Sequence, residues 1–166
     1  MRVLHIYHIF PAIYGGVSYV VYNLAKELSK RQYDVHILTT NAYFNTTCDS
    51  DSSGKIKVHR FKVISQKLAK RKLIIPSSGF FMWLEKNVTS FNLVHVHGFR
   101  NVYTPLVYLV LKEMKVPYVL QVHGSLPRIT RGRKSKWIYD VLFGYRLLKD
   151  ATKVIALNKM EVEQYR

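Results

Sequence analysis

The stretches LVHVHG at residues 93–98 and YVLQVHG at residues 118–124 decide the fold. Each is an apolar run that ends in a His-Gly pair, and a segment with helical spacing, 102–114, lies between them. The first apolar run, 2–9, likewise leads into a loop with Gly15 and Gly16 and then into a helical segment. In an open α/β sheet, ligands bind outside the carboxyl ends of the strands. The sequence therefore places two imidazoles and a glycine loop at the predicted ligand-binding edge.

Strand and helix patterns alternate along almost the whole chain. We predict strands at 3–9, 35–39, 58–63, 93–97, 118–123 and 154–157. We predict helices at 18–30, 78–88, 102–114 and 136–148, with a further helix from residue 159. This alternation predicts an α/β fold, a Rossmann-like, open and mostly parallel sheet with helices on both faces. At 166 residues the chain is expected to be a single domain, 1–166.

The charge of the chain points to anionic partners. Lys and Arg number 26 against 10 Asp and Glu, which gives a formal net charge of +16. No apolar run reaches the ~18 residues of a membrane span, and the single Cys48 excludes an internal disulfide. We therefore expect a cytoplasmic protein that lies peripherally on the inner membrane face. The predicted contacts with an anionic membrane surface are four basic residues of one run: Lys67, Lys70, Arg71 and Lys72. No nucleic-acid motif occurs, so no specific nucleic acid is expected.

The candidate site residues are those at the strand ends. Gly15 and Gly16 fit either a simple turn or a phosphate-binding helix start, and we expect unusual backbone angles at both. The GxGxxG and GxxxxGK[ST] motifs are absent, which disfavours ordinary dinucleotide or ATP binding. His123 and His97 can donate hydrogen bonds to a sugar hydroxyl or a phosphate, and each also fits a structural role.

The other histidines are predicted to be structural. We expect His95 to face the opposite side of the sheet from His97. Four single histidines in or beside strands are interpreted in the same way: His5, His8, His36 and His59. No pair has the spacing of a metal site, so no metal and no cofactor are expected.

Taken together, these motifs resemble the N-terminal domain of a GT-B glycosyltransferase of family 4, the retaining type. The similarity rests on Gly15-Gly16-Val17, on the His-x-His of 95–97, on His123-Gly124-Ser125, and on 154–158 followed by a helix with Glu161. The family usually has Ser where this chain has Asn158. The resemblance implies transfer of a sugar from a nucleotide-sugar to a glycan or lipid-linked acceptor, with retention at the anomeric carbon. It also implies a C-terminal nucleotide-sugar domain, absent from residues 1–166, without which the chain would be inactive.

The resemblance further implies roles for individual residues. His123 is the expected catalytic residue and would orient the substrate, and it is expected to bind the donor together with Gly15 and Gly16. The expected acceptor-binding residues are His97, Ser125 and Arg128. The alternative from a different class is a non-catalytic binding module that docks on anionic lipid or RNA.

Overall fold

The computed structural model describes residues 1–10, 15–43, 54–126 and 132–164. Six strands, all parallel, form one sheet in the order β3-β2-β1-β4-β5-β6. The strands are β1 (Arg2–Ile9), β2 (Asp34–Thr40), β3 (Ile56–Phe61), β4 (Leu93–His97), β5 (Tyr118–Gln121) and β6 (Lys153–Ile155). The predicted Rossmann-like fold class is confirmed. The strand order reverses between β1 and β4, and ligands of such sheets bind at this switch point.

Helices cover both faces of the sheet. They are α1 (Gly16–Lys30), α2 (Gln66–Lys70), α3 (Ser78–Asn87), α4 (Tyr103–Glu113), α5 (Arg133–Tyr139), α6 (Tyr145–Lys149) and α7 (Lys159–Gln164). A 3-10 turn, Val88–Ser90, extends α3, and a π-helical turn, Asp140–Gly144, joins α5 to α6. Among the described residues, no helix is both long and apolar enough to cross a membrane.

Strand alternation divides the core into two layers. Leu4, Val94 and Leu120 pack with α3, α4 and α6 on one face. Val35 and Ile37 pack with α1 on the other face. Apolar side chains on both faces of a strand are what buried parallel sheets require. On the face toward α1, however, β4 carries His95 and His97, and β1 carries His5 between Val3 and Tyr7.

The structure changes several predicted boundaries. β5 ends at Gln121, two residues before the predicted end, because His123 has a positive φ of 55° that cannot continue a strand. The predicted helix 136–148 begins at Arg133 and contains the π-helical turn. The short helix α2 was missed, since its five residues read only as a basic run.

Candidate functional site

Three histidines form a hydrogen-bonded chain across the sheet, from the middle of β1, the end of β4 and the turn after β5. His5 Nδ1 lies 3.0 Å from His97 Nε2, and His97 Nδ1 lies 3.1 Å from His123 Nε2. His5 and His97 have no exposed surface, whereas His123 is partly exposed beyond the end of β5. The chain of imidazoles therefore runs from the core of the protein to the carboxyl edge of the sheet. Sequence reasoning predicted an isolated structural role for His5 and did not detect its link to His97.

His95 lies on the same face as His97, and the predicted placement on opposite faces is wrong. Side chains two residues apart on a strand point the same way, and the two ring centroids are 3.9 Å apart. Among the described residues, one group could share a metal ion, with ligand atoms within 4.8 Å of one another: His5, His95 and His97. This group contains no carboxylate, and two of its nitrogens already face each other in the His5–His97 hydrogen bond. The absence of a metal stays a prediction.

Burial keeps these imidazoles uncharged. Desolvation lowers the pKa of His5 to about 3, and it lowers the pKa of His95 to about 4. The pKa of His97 is also lowered well below its usual value, first by burial and then by its histidine neighbours. The pKa of His123 is lowered by burial, while the nearby Glu161 carboxylate acts in the opposite direction. Near neutral pH the chain of imidazoles is therefore neutral, with one N–H on each ring.

The turn that carries His123 is anchored by Glu161. His123 and Gly124 both have positive φ, 55° and 70°. The Gly124 N–H donates to Glu161 Oε1 at 2.6 Å, and the Leu157 N–H donates to Glu161 Oε2 at 2.6 Å. Glu161 is buried, so its carboxylate joins the turn after β5 to the segment after β6. The resemblance singled out Glu161, but only the structure gives its contact with the His123 turn.

Arg100 anchors the same turn from the other side. Its guanidinium donates to both carboxylate oxygens of Asp140, at 2.9 and 2.7 Å, and side chains of both residues are at least nine-tenths buried. It also donates to the carbonyls of Ser125 and Leu126, at 2.5 and 2.7 Å. Sequence reasoning missed Arg100, because nothing in the sequence pairs it with an acid forty residues away.

The glycine loop differs in one respect from the expectation. Gly15 has φ 126° and ψ 177°, a region that is essentially restricted to glycine, and it is the N-cap of α1. Gly16 begins the helix without a positive φ, so the expected unusual backbone angle at Gly16 is wrong. A Cβ at either position would meet none of the described residues within 4 Å, so the described part of the chain leaves the start of α1 open to a ligand. Ser18 Oγ donates to Ile9 O at 3.0 Å and ties α1 to the end of β1.

The predicted acceptor-binding residues have different environments. Ser125 is partly exposed, and its hydroxyl donates to Val122 O at 2.6 Å. Arg128 lies outside the described residues. His97 is fully buried with both ring nitrogens at other histidines, so the structure gives it no free nitrogen for an acceptor. All three roles stay predictions, and His97 fits an indirect role better than direct contact.

The basic run follows the carboxyl end of β3, the edge strand that lies three strands away from β4. Lys67 and Lys70 are on α2, and Arg71 and Lys72 follow it, all four exposed. A second basic stretch begins α5 with the exposed Arg133 and Lys134.

Fold and site together define a Rossmann-like α/β unit whose ligand edge carries an open helix start and an anchored histidine. The model of Glycosyltransferase Family 4 matches residues 14–166, so the chain belongs to this family. A similar solved structure is described as trehalose-6-phosphate from E. coli bound with UDP-2-fluoro glucose. That likeness has a TM-score of 0.55 at 9% identity and covers 99% of this chain but only 42% of the other. It confirms the GT-B type of fold. No curated protein matches the chain.

Proposed function

We propose that this chain is the acceptor-binding part of a retaining glycosyltransferase that uses a nucleotide-sugar donor. The observation that carries the proposal is the position of His123. Its Nε2 faces His97, while no described residue hydrogen bonds to Nδ1, and the ring is partly exposed at the carboxyl edge of the sheet. An imidazole fixed in this way is suited to bind and orient a substrate oxygen.

The start of α1 supports the proposal that a phosphate group of the donor binds near His123. β1 and β5 are separated only by β4, so the Gly15–Gly16 loop and His123 follow strands about 10 Å apart. A helix N-terminus favours negative charge, and the net charge of +16 favours an anionic ligand generally. The solved relative bound to UDP-2-fluoro glucose supports a nucleoside diphosphate sugar as the donor class. Glycosyl transfer requires stabilisation of the departing diphosphate, which fixed donors provide.

The experiment is a donor screen on the protein that contains this chain, with NMR assignment of the anomeric configuration of the product. His123→Ala should lower the transfer rate by about 10²-fold, the order expected for loss of one fixed donor. His59→Asn removes an imidazole at the opposite edge of the sheet and should leave transfer unchanged. If His123→Ala remains active, or only unfolds, the proposed role of His123 is wrong. Binding of lipid or RNA without turnover of any donor would favour a non-catalytic module.

A second candidate function, membrane docking, is supported by a separate observation. Five exposed apolar side chains recur with the spacing of one helix face from α5 to α6: Trp137, Ile138, Val141, Leu142 and Tyr145. We call them the apolar stripe. Exposed Arg133 and Lys134 precede the stripe, and exposed Arg146 and Lys149 follow it. Basic and apolar side chains on one helix are typical of peripheral attachment to an anionic membrane. We propose such attachment at the cytoplasmic face, for a glycan or lipid-linked acceptor.

A further inference from the structure

The chain of imidazoles restricts which nitrogen of each ring carries a proton. A neutral histidine has one N–H and one bare nitrogen. In the contact between His5 Nδ1 and His97 Nε2, at 3.0 Å, only one of the two nitrogens can hold the hydrogen. The same holds for His97 Nδ1 and His123 Nε2, at 3.1 Å. The tautomers of the three rings are therefore coupled, and only two complete arrangements make both hydrogen bonds.

The two arrangements differ at the ends of the chain. In the first arrangement, every ring carries its proton on Nδ1, so His5 donates to His97 and His97 donates to His123. The outer nitrogen, His123 Nδ1, is then a donor, and the inner nitrogen, His5 Nε2, is bare. In the second arrangement, every ring carries its proton on Nε2. His123 Nδ1 is then an acceptor, and His5 Nε2 is a buried N–H.

The buried end decides between the two arrangements. His5 Nε2 has no hydrogen-bond partner among the described residues, and the His5 side chain has no exposed surface. An orphaned buried N–H is among the rarest features of folded proteins, and unpaired acceptors are somewhat less rare. The first arrangement avoids this orphaned donor, because it leaves His5 Nε2 without a hydrogen.

We propose that His5 and His97 fix His123 as the Nδ1–H tautomer, which presents a hydrogen-bond donor to an anionic oxygen of the ligand. The assignment of the ligand as a phosphate oxygen of the nucleotide-sugar rests on the proposed function; the assignment of the tautomer does not. His97 is then a positioning residue, which acts through His123 and does not touch the substrate. The complete burial of His97 fits this role, and it does not fit direct contact with an acceptor.

The anchored turn makes the tautomer useful. His123 sits on a turn with positive φ that Glu161 and Arg100 hold through backbone groups of Gly124, Ser125 and Leu126. The direction of the ring is thus fixed by the turn, and its polarity is fixed by His97. A donor that is preorganised in both respects needs no rearrangement when negative charge develops on the ligand.

The direct test is NMR of the chain labelled with 15N-histidine at neutral pH, where two-bond 1H–15N correlations identify the protonated nitrogen of each ring. We expect His5, His97 and His123 all to be protonated on Nδ1. His97→Phe removes both hydrogen bonds, so His123 should lose its preference for Nδ1–H. His97→Asn should restore that preference, since the Asn amide lies near the position of Nδ1 and can donate to His123 Nε2.

A matched control separates the hydrogen bond from the packing. His95→Phe changes a buried ring on the same strand and the same face, with its centroid 3.9 Å from that of His97, and should leave His123 protonated on Nδ1. If His97→Phe does not fold, His97→Leu tests the same coupling and should also release His123 from its preference for Nδ1–H. His5→Phe, in contrast, makes His97 Nε2 the buried end of the chain, so it should leave His123 protonated on Nδ1. An Nε2–H tautomer of His123 in the unchanged chain, or an Nδ1–H tautomer that persists in His97→Phe or His97→Leu, would overturn the proposal.

The ligand part has a separate readout, the affinity for UDP measured by calorimetry on the protein that contains this chain. His97→Phe should weaken UDP binding by about tenfold, the loss expected for one hydrogen bond, and His97→Asn should recover most of it. If the NMR result holds and UDP does not bind, the tautomer assignment stands and the proposed donor is wrong. If UDP binds equally well to His97→Phe and the unchanged protein, the positioning role of His97 is overturned.

Discussion

At the residue scale, the backbone of His123 is itself informative. A φ of 55° is uncommon for a residue with a side chain, and holding such a conformation costs on the order of 1 kcal/mol or more. The neighbouring Gly124 also has a positive φ, so the turn could have used glycine at both positions. The fold instead retains an imidazole on the strained position and anchors the next residues through Glu161 and Arg100. Strain that is kept in place by buried charged groups is typical of a ligand-binding turn.

Substitutions of Gly15 and Gly16 should change the free energy of unfolding by different amounts. Gly15→Ala forces a side chain into a region restricted to glycine and should lower the free energy of unfolding by about 1–3 kcal/mol. Gly16→Ala needs no unusual angle and its Cβ meets no described residue within 4 Å, so that free energy should change by less than about 0.5 kcal/mol. Urea denaturation measures both.

Gly16→Val then tests the phosphate interpretation of the same loop. Its larger side chain should weaken UDP binding in calorimetry while the protein still folds, because a ligand needs close approach to the start of α1. Equal UDP affinity of the Gly16→Val and unchanged proteins would mean that the loop is only a turn.

At the element scale, the π-helical turn is explained by the buried side chain of Asp140. Asp140 begins this turn and is buried against Arg100, a residue of the loop after β4. A π-helical turn inside a helix is rare and frequently marks a functional site. Here it places a carboxylate beside the guanidinium that holds the Ser125 and Leu126 carbonyls.

The Arg100–Asp140 pair should therefore be strongly coupled. Asp140→Leu leaves a buried guanidinium without its counter-charge and should lower the free energy of unfolding by about 3–5 kcal/mol. The double variant Arg100→Met with Asp140→Leu should be less destabilised than the sum of the two single variants, because no unpaired charge remains. Urea denaturation of the four proteins gives the coupling. Additive losses would show that the two side chains contribute independently.

Elements and site were predictable from the sequence to different extents. β4 was predicted with its observed bounds, because a short run of apolar and histidine residues that ends at a glycine is a local property of the sequence. β5 was predicted too long, since no local pattern shows that His123 turns into a positive φ. The site required contacts between distant residues: His5 meets His97 over 92 positions, and His36 meets His59 over 23. The sequence predicts isolated structural roles for His5, His36 and His59 and a separate site role for His97, because strand neighbours depend on a sheet order that the sequence does not state.

At the scale of the whole molecule, a set of buried neutral histidines should make the fold sensitive to acid. The pKa is lowered to about 3 for His5, to about 4 for His95, and well below its usual value for His97. In the unfolded chain these rings titrate near 6.5. The unfolded state therefore binds more protons as the pH falls below 6.5, and the stability present above that pH is lost progressively down to the folded pKa values.

Each such ring can remove up to about 1.4 kcal/mol per pH unit within this window. We expect the urea midpoint to be constant above pH 7 and to fall steeply between pH 6.5 and pH 4. His5→Phe removes one of these rings, so the unfolded state should take up to one proton fewer on acidification. The free energy of unfolding should then fall less steeply with pH, whatever the effect of the substitution at pH 7. A midpoint that does not change between pH 7.5 and pH 5.5 would contradict neutral burial of these rings.

The last prediction concerns the net charge of +16 together with the apolar stripe. Each basic residue near an anionic leaflet contributes roughly 1 kcal/mol, and the attraction falls off within a Debye length of about 10 Å at 0.1 M salt. The chain should therefore sediment with anionic vesicles but not with neutral vesicles. Binding should be reversed by salt near 1 M, where the Debye length is about 3 Å.

Two sets of variants separate charge from apolar insertion on those vesicles. Neutralising the first basic run, by changing Lys67, Lys70, Arg71 and Lys72 to Gln, should weaken binding most at low salt. Trp137→Ser with Leu142→Ser removes half-exposed side chains of the stripe, 54% exposed each, and should weaken binding at every salt concentration. Met82→Ser changes an exposed apolar side chain outside the stripe, 66% exposed, and should have no effect. If stripe variants bind as the unchanged chain does while binding to RNA is strong, the basic surface serves nucleic acid and not a membrane.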